Sequence, residues 1–431
     1  MIIHVIQPGD TISSIASQYG ISEERLMLEN EVTDNSELVI GEALVILFPA
    51  LVYTVREGDS LSKIAASYNT TVIELLRNNP YLSDREYIYP GEEIVISFMD
   101  TKTYTMSTNG FAYPFIDISV LKKTLPFLTE LTIFHYRITT DCKLIDINDE
   151  DVIRTAKSYG VATYMLVTPL SDSGSESMEV VQRMLTDEAC QDQLIQNILV
   201  ILKEKEYYGF NIYTPGLLPG EQQPYIDFVA KLTPVLNAEG YPVLVTFSPS
   251  GIELQTGTVV SEQFYTKISK VVNGVRLLDY NFGYTTKTPL ADRPYETISS
   301  LLGVIVTLIP PEKISLGISS VGYVWELPYV EGESRAYSIS SSSVIKLAAT
   351  VGAVIRFDEV SKQAYFYYGE HNQYLVRFGD ARSIDALLKL VPQYGLNGAG
   401  LWSIMSYFPQ MWLVINSQYE IASVLTVWHL D

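Results

Sequence analysis

Two stretches near the start of the chain share one arrangement of apolar and polar positions. Ile12, Ile15, Ala16 and Tyr19 recur at i, i+3, i+4 and i+7, the buried stripe of a helix, and Leu61, Ile64, Ala65 and Tyr68 repeat it. Counted from Asp10 to Asp59, the offset is 49 residues. A short alternating strand precedes each stripe and ends at Gly9 or Gly58. Asp and then a hydroxyl residue follow, as Asp10-Thr11 and Asp59-Ser60, and predict that the aspartates cap the helices. A second helix carries Leu26-Met27 in one copy and Ile73, Leu75 and Leu76 in the other, ending near Asn30 and near Asn78-Asn79-Pro80. A turn at Gly41 or Gly91 leads into closing strands Leu44–Phe48 and Ile94–Phe98. The pattern predicts two βααβ modules, 1–49 and 50–99.

From about Thr103 the pattern changes to short β-branched runs alternating with helical stretches. Predicted strands are Gly110–Tyr113, Leu131–Tyr136, Thr163–Val167, Gly209–Tyr213, Val243–Phe247, Val275–Tyr280, Ile314–Ser319 and Gly398–Ser403. Eight is the number that closes a (β/α)8 TIM barrel, here over 103–431. Predicted helices are Asp149–Tyr159, Asp187–Glu206, Pro224–Glu239, Ser261–Val272, Tyr295–Ile309 and Ala381–Tyr394. The gap before the last strand is too long for one helix. It is read as a small α+β insertion, about 323–379, forming one wall of a deep groove.

The chain has 431 residues, 47% hydrophobic and 18% charged, which suits a packed multi-domain protein. A net charge of -21 argues against nucleic acid or an anionic membrane as partner, since both need a basic footprint. A neutral glycan is compatible with it, and the 30 tyrosines offer faces for sugar rings. Cys142 and Cys190 make no disulfide framework and are expected to be buried thiols. His4, His135, His371 and His429 show no metal-ligand spacing, so neither metal nor cofactor is expected. The first ten residues show no basic segment or cleavage signal of a secretory peptide. The longest apolar run, around Leu301–Pro311, is shorter than the roughly 20 residues a membrane span needs.

The repeated Gly-Asp-[Thr/Ser]-[Ile/Leu]-x-x-Ile-Ala-x-x-Tyr segment resembles LysM modules. That resemblance implies binding of N-acetylglucosamine polymers, peptidoglycan or chitin. It places sugar contacts at Gly9, Asp10, Thr11 and Asn30, and at Gly58, Asp59, Ser60 and Asn79. The segments Leu316–Tyr329, Phe378–Ser383, Tyr394–Ser403 and Tyr407–Trp412 resemble LysM-bearing family-18 glycoside hydrolases of spore-forming bacteria. In that family strand four reads Asp-x-x-Asp-x-Asp-x-Glu, and the Glu is the general acid. The four acidic positions fall here on Tyr208, Asn211, Tyr213 and Pro215. Tyr280 and Trp402 match the family's strand-six Tyr and the Trp that stacks beneath the sugar, and Tyr213 fills the space the carboxylates leave.

Tyr, with a reference pKa near 10, is a poor acid at neutral pH, and Asn and Pro are none. Glu221 and Asp279 are the nearby carboxylates, but one sits on a loop and the other faces away from Tyr280. Three readings follow from the resemblance. The first is a glycan-binding protein without hydrolysis. The second is an active N-acetylglucosaminidase on cortex peptidoglycan with an unusual acid. The third is a spore-layer scaffold whose partners are spore-layer proteins. The resemblance also implies synthesis in the mother-cell cytoplasm and deposition on the spore.

Overall fold

The computed structural model describes residues 1–34, 38–85, 87–170, 177–214, 217–247, 262–278, 294–330, 333–370 and 373–424. Eight parallel strands follow one another around a closed barrel: Tyr104–Ala112, Glu130–Ile138, Ala162–Thr168, Gly209–Tyr213, Val243–Phe247, Gly274–Leu277, Ile314–Ser319 and Gly398–Trp402. Closure comes from strand one, which pairs with both strand two and strand eight. Alternation explains the two surfaces of this sheet. Ile133, Met165, Ile212, Val245, Leu277 and Ile318 point outward into one continuous core beneath the helices. Residues one position away point into the barrel.

Strand one starts at Tyr104, six residues before its predicted start, because its first half pairs with a short strand Tyr419–Ile421. That strand, and the helices Ile118–Thr124, Met178–Thr186 and Pro409–Gln418, went unpredicted. The last is buried along nearly its whole length, so it shows no amphipathic stripe to read. The rim insertion is a five-stranded antiparallel sheet covered on one face by the helix Ser341–Val351. Its first strand, Val321–Leu327, begins two residues before the expected boundary.

Each N-terminal module pairs two antiparallel strands over two short helices. In the first, Ile2–Val5 pairs with Ala43–Ile46 and the helices are Ile12–Tyr19 and Glu23–Asn30. In the second, Pro49–Thr54 pairs with Glu93–Phe98 and the helices are Leu61–Ser67 and Val72–Asn78. The caps differ from expectation. Thr11 and Ser60 accept the N–H groups of Ser14 and Lys63, while Asp10 and Asp59 brace the preceding turn by accepting those of Gln7 and Arg56. A side chain one residue before the N-cap cannot reach the N3 nitrogen, so the hydroxyl takes the role.

The first module does not hang free. Ala43, Val45 and Leu47 belong to the barrel's outer core, and Val39 to that of the insertion. Arg382 donates to the Gly41 carbonyl, and the Ile355 N–H donates to the Ile40 carbonyl at 2.9 Å. In the second module, the Asn78 amide oxygen accepts from Asn416 at 2.9 Å.

The expectation of two free thiols is corrected: Cys142 and Cys190 form a disulfide. Cys142 lies in the turn after strand two and Cys190 in the first turn of the helix Glu188–Glu204. Their Cα atoms are 5.4 Å apart, a proximity that a separation of 48 residues does not reveal.

Candidate active site and its surroundings

Parallel barrels present their chemistry at the carboxyl ends of the strands. There the inward positions include Phe111, Phe134, Leu166, Tyr213, Leu278 and Trp402. Four of the strands place a polar inward residue below an apolar or aromatic one: Asn109 then Phe111, Thr132 then Phe134, Asn211 then Tyr213, Arg276 then Leu278. On these strands the interior is layered, polar at mid-depth and apolar or aromatic at the mouth.

Tyr213 is 3% exposed and packs with Phe134, Leu166 and Leu170. Half-buried Trp402 closes the cluster, its ring 5.0 Å from that of Phe134 and 5.4 Å from that of Phe111. Tyr113 joins them, and Phe115, 77% exposed, stacks on Tyr113 at 5.2 Å. An aromatic run thus leads from the plugged mouth out to solvent. Among the described inward positions at this end none is acidic.

The remaining positions of the four-acid pattern are spread out. Asn211 is fully buried and accepts the Thr246 hydroxyl at 3.0 Å. Tyr208 precedes the strand at the barrel's foot, its ring 5.7 Å from that of Tyr164. Pro215, Asp279 and Tyr280 lie outside the described residues. Glu221 folds back on its own turn, where its Oε2 accepts the Leu218 N–H at 2.9 Å.

One carboxylate does lie inside the barrel. Glu130 pairs with Arg276 at 2.7 Å, both about 1% exposed, and Arg276 also donates to Thr132. The Tyr164 ring lies 4.9 Å from the guanidinium carbon. Gly209 makes room for that ring, since a Cβ there would sit 2.5 Å from it. Glu130 opens strand two, four residues before Phe134, so roughly 13 Å of strand separates it from the mouth. Paired with Arg276 and set that deep, it does not reach a bond at the mouth.

His135 stacks on Phe134 at 4.1 Å, and its Nδ1 lies 2.6 Å from the Thr168 hydroxyl. Burial, assisted by Arg137, pushes its pKa down to about 4, so the ring is neutral at pH 7.

In the two small modules, Gly9 and Gly58 adopt φ of 93° and 82° at exposed turns, positions that favour glycine. Asp10 is held below the usual carboxylate range chiefly by the Gln7 N–H, and Asp59 chiefly by the Tyr53 hydroxyl, 2.7 Å away. These residues, with Thr11 and Ser60, lie at or near the surface. Asn30 and Asn79 do not. Asn79 is fully buried; its amide donates to the Leu75 and Val95 carbonyls and accepts the Val95 N–H. Asn30 repeats the clamp on Leu26 and Val45 at 4% exposure. Their amides tie the second helix to the closing strand, so the expectation that they touch sugar does not fit their placement. An Asn at the end of the second helix in both copies was the available signal for a clamp.

The glycosyl hydrolases family 18 model matches residues 95–406, and the LysM domain model matches 4–47 and 53–97. The chain belongs to glycosyl hydrolases family 18. It is 27% identical to the cortical fragment-lytic enzyme of Bacillus anthracis, over 97% of this chain and 98% of that one. It is also 27% identical to the putative sporulation-specific glycosylase YdhD of Bacillus subtilis (strain 168), over 96% of this chain and 98% of that protein. Among solved structures, the Bacillus megaterium QM B1551 spore cortex-lytic enzyme SleL matches with TM-score 0.80 and 28% identity, covering 98% of each chain. The family-18 barrel and both LysM modules therefore share the overall arrangement of spore cortex-lytic enzymes. Among the described residues no helix is long and apolar enough to cross a membrane.

The mouth-layer residues Phe111, Phe134, Leu166 and Leu278 were not singled out from sequence as site residues. Alternation from Asn211 and Tyr213 across to neighbouring strands carried the signal, but only the register shows which side chains meet.

Proposed function

We propose that this chain is a spore-associated glycan-binding protein that holds peptidoglycan or chitin-like N-acetylglucosamine polymers without cleaving them. The observation that carries this reading is Tyr213, buried in an aromatic plug on the strand where the family presents its carboxylates. Loss of general acid catalysis costs typically 10²–10⁴-fold in rate. Loss of the charge that stabilises the reacting acetamide adds several kcal/mol. The exposed turns around Gly9–Thr11 and Gly58–Ser60 supply the polymer contacts, and Trp402 with the Tyr113–Phe115 stack offers an aromatic platform beside the mouth. Two modules on one chain raise avidity when one polymer reaches both.

The names of the full-length relatives favour a second reading, an N-acetylglucosaminidase acting on cortex fragments with an acid outside the strand-four pattern. Incubation with spore cortex fragments and with N-acetylglucosamine oligomers separates the two. Pull-down on purified peptidoglycan without new reducing ends is the expected result. Release of reducing ends at the rate of an active cortex-lytic enzyme would overturn the first reading and establish the second.

A further inference from the structure

The second helix of each module carries a docking position one residue before its clamp asparagine. In the second module that position is Asn78, a neutral amide that donates to the Ile96 carbonyl and accepts from Asn416 of the barrel, both at 2.9 Å. In the first module it is Glu29, 49 residues earlier. The same βααβ fold is thus built with an amide there, and the module itself calls for no acid.

Glu29 lies where the first module meets the second. Its helix, Glu23–Asn30, packs on the turn Pro80–Leu82 of the second module. Arg25, one turn earlier, pairs with Glu29 and sets its guanidinium over the Phe98 ring, 5.5 Å away, at the end of the second module's closing strand. The joint is closed but half satisfied. Glu29 is 5% exposed, and among the described residues its Oε2 and the Arg25 Nε take part in no hydrogen bond. A carboxylate with one oxygen left dry is costlier to bury than the neutral acid.

The surrounding elements supply no second cation. The turn Pro80–Leu82 brings Tyr81, whose phenol burial pushes up to about 12. Arg85 and Glu92, which also act on Tyr81, pair with each other at 2.6 Å. Glu23, Glu24 and Glu93 are exposed. The helix Pro409–Gln418 and the strand Ala43–Ile46, also packed on Glu23–Asn30, contain no ionisable residue. The first helix brings Tyr19, whose hydroxyl lies 3.0 Å from the His4 Nδ1. Burial, opposed by Arg25, accordingly pushes the Glu29 carboxyl up to about 7.

The two modules are anchored differently. Ala43, Val45 and Leu47 sink the first into the barrel core, whereas the second keeps a core of its own and reaches the barrel's through Phe98. The second module is therefore the part that moves when the joint opens.

We infer that Glu29 is a proton-operated latch between the two LysM modules: neutral, it stays buried and holds the joint shut; ionised, it draws water in and lets the second module swing away. In an open joint the carboxyl titrates near its ordinary 4.5. Below that value it is neutral in both states, and opening gains nothing. Above about 7 it is ionised in both, and opening is favoured by up to roughly 300-fold over acid pH. The closed joint fixes the spacing of the turns Gly9–Thr11 and Gly58–Ser60. Only the consequence for polymer binding rests on the glycan-binding reading above; the latch does not.

The test is a distance measurement in the full chain, between nitroxide labels on Ser13→Cys and Ser62→Cys, exposed positions on the first helices of the two modules. Pulsed electron spin resonance should give one narrow distribution at about pH 5 and a second, broader population at about pH 8.5. Glu29→Gln, neutral at both, should keep the narrow distribution throughout. Far-UV circular dichroism should be equal at the two pH values, which separates opening of the joint from unfolding of a module. A distribution that ignores pH, a pH response that Glu29→Gln retains, or a response accompanied by loss of helical signal would each overturn the latch. Peptidoglycan pull-down at the same two pH values reads the consequence: wild type should be retained less at alkaline pH, and Glu29→Gln equally at both. If no peptidoglycan is retained at either pH, the glycan-binding reading falls, and the distances still decide the latch.

Discussion

Placing a carboxylate in strand four at Tyr213 should unfold the mouth before it supplies any chemistry. Consider Tyr213→Asp. Tyr213 is 3% exposed among Phe134, Leu166 and Leu170. Removing a buried aromatic of this size costs about 3–5 kcal/mol through lost burial and the cavity left behind. Among the described residues the new carboxylate meets no cation in that layer, because Arg276 lies one inward position deeper and is bound to Glu130. Desolvation then raises its pKa well above the unfolded value of about 3.9. For an acid with a raised folded pKa, the penalty grows as pH rises from the unfolded value toward the folded one. With a folded pKa at or above 7, it reaches about 1.5 kcal/mol at pH 5 and about 4 kcal/mol at pH 7. The total at pH 7, about 7–9 kcal/mol, rivals the whole stability of an ordinary domain. Urea denaturation at pH 5 and pH 7 reads both parts, and a reducing-end assay on cortex fragments should stay blank. A loss below 1 kcal/mol at pH 7, or an equal loss at both pH values, would refute the view of the mouth as a dry apolar plug.

Three further outcomes follow from buried groups. Glu29 is 5% exposed beside Arg25, and burial pushes its carboxyl up to about 7 from 4.5. Its stabilising contribution is complete below pH ~4.5 and lost by pH ~7, about 3 kcal/mol in all. Glu29→Gln should flatten the stability profile across that window, and an unchanged profile from chemical denaturation at several pH values would contradict it. The Cys142–Cys190 bridge spans 48 residues, so chain entropy sets its contribution at about 4 kcal/mol. Cys142→Ser or reductant should lower the thermal midpoint, and equal midpoints with and without reductant would show that the bridge is not formed. Arg276→Met leaves the buried Glu130 without its cation, a loss of about 3–5 kcal/mol that denaturation would register. If the double variant Arg276→Met/Glu130→Leu is no more stable than the single one, the pair is not the source.

Much of this protein was determined by local pattern. The two βααβ units were readable because Ile12, Ile15 and Ala16 repeat as Leu61, Ile64 and Ala65 at a fixed offset, and a helix stripe needs no partner to be recognised. The barrel was readable because its strands are buried on both faces and appear as short apolar runs; Gly209–Tyr213, Val243–Phe247 and Ile314–Ser319 match the observed strands residue for residue. That positions 211 and 213 carry Asn and Tyr, with no carboxylate, was likewise a matter of identity. Tertiary structure decided the rest. Whether Tyr213 faces an open groove or a plug depends on Phe134 and Leu166, which reach it only through the strand register. The Cys142–Cys190 bridge and the Glu130–Arg276 pair each join residues 48 or more positions apart. The docking of the first module through Val45 and Leu47 is of the same kind, because Ala43–Leu47 is buried on both faces and nothing in an apolar run names its neighbour. Periodicity fixes which face of an element is apolar. Only the closed chain determines which other face it meets.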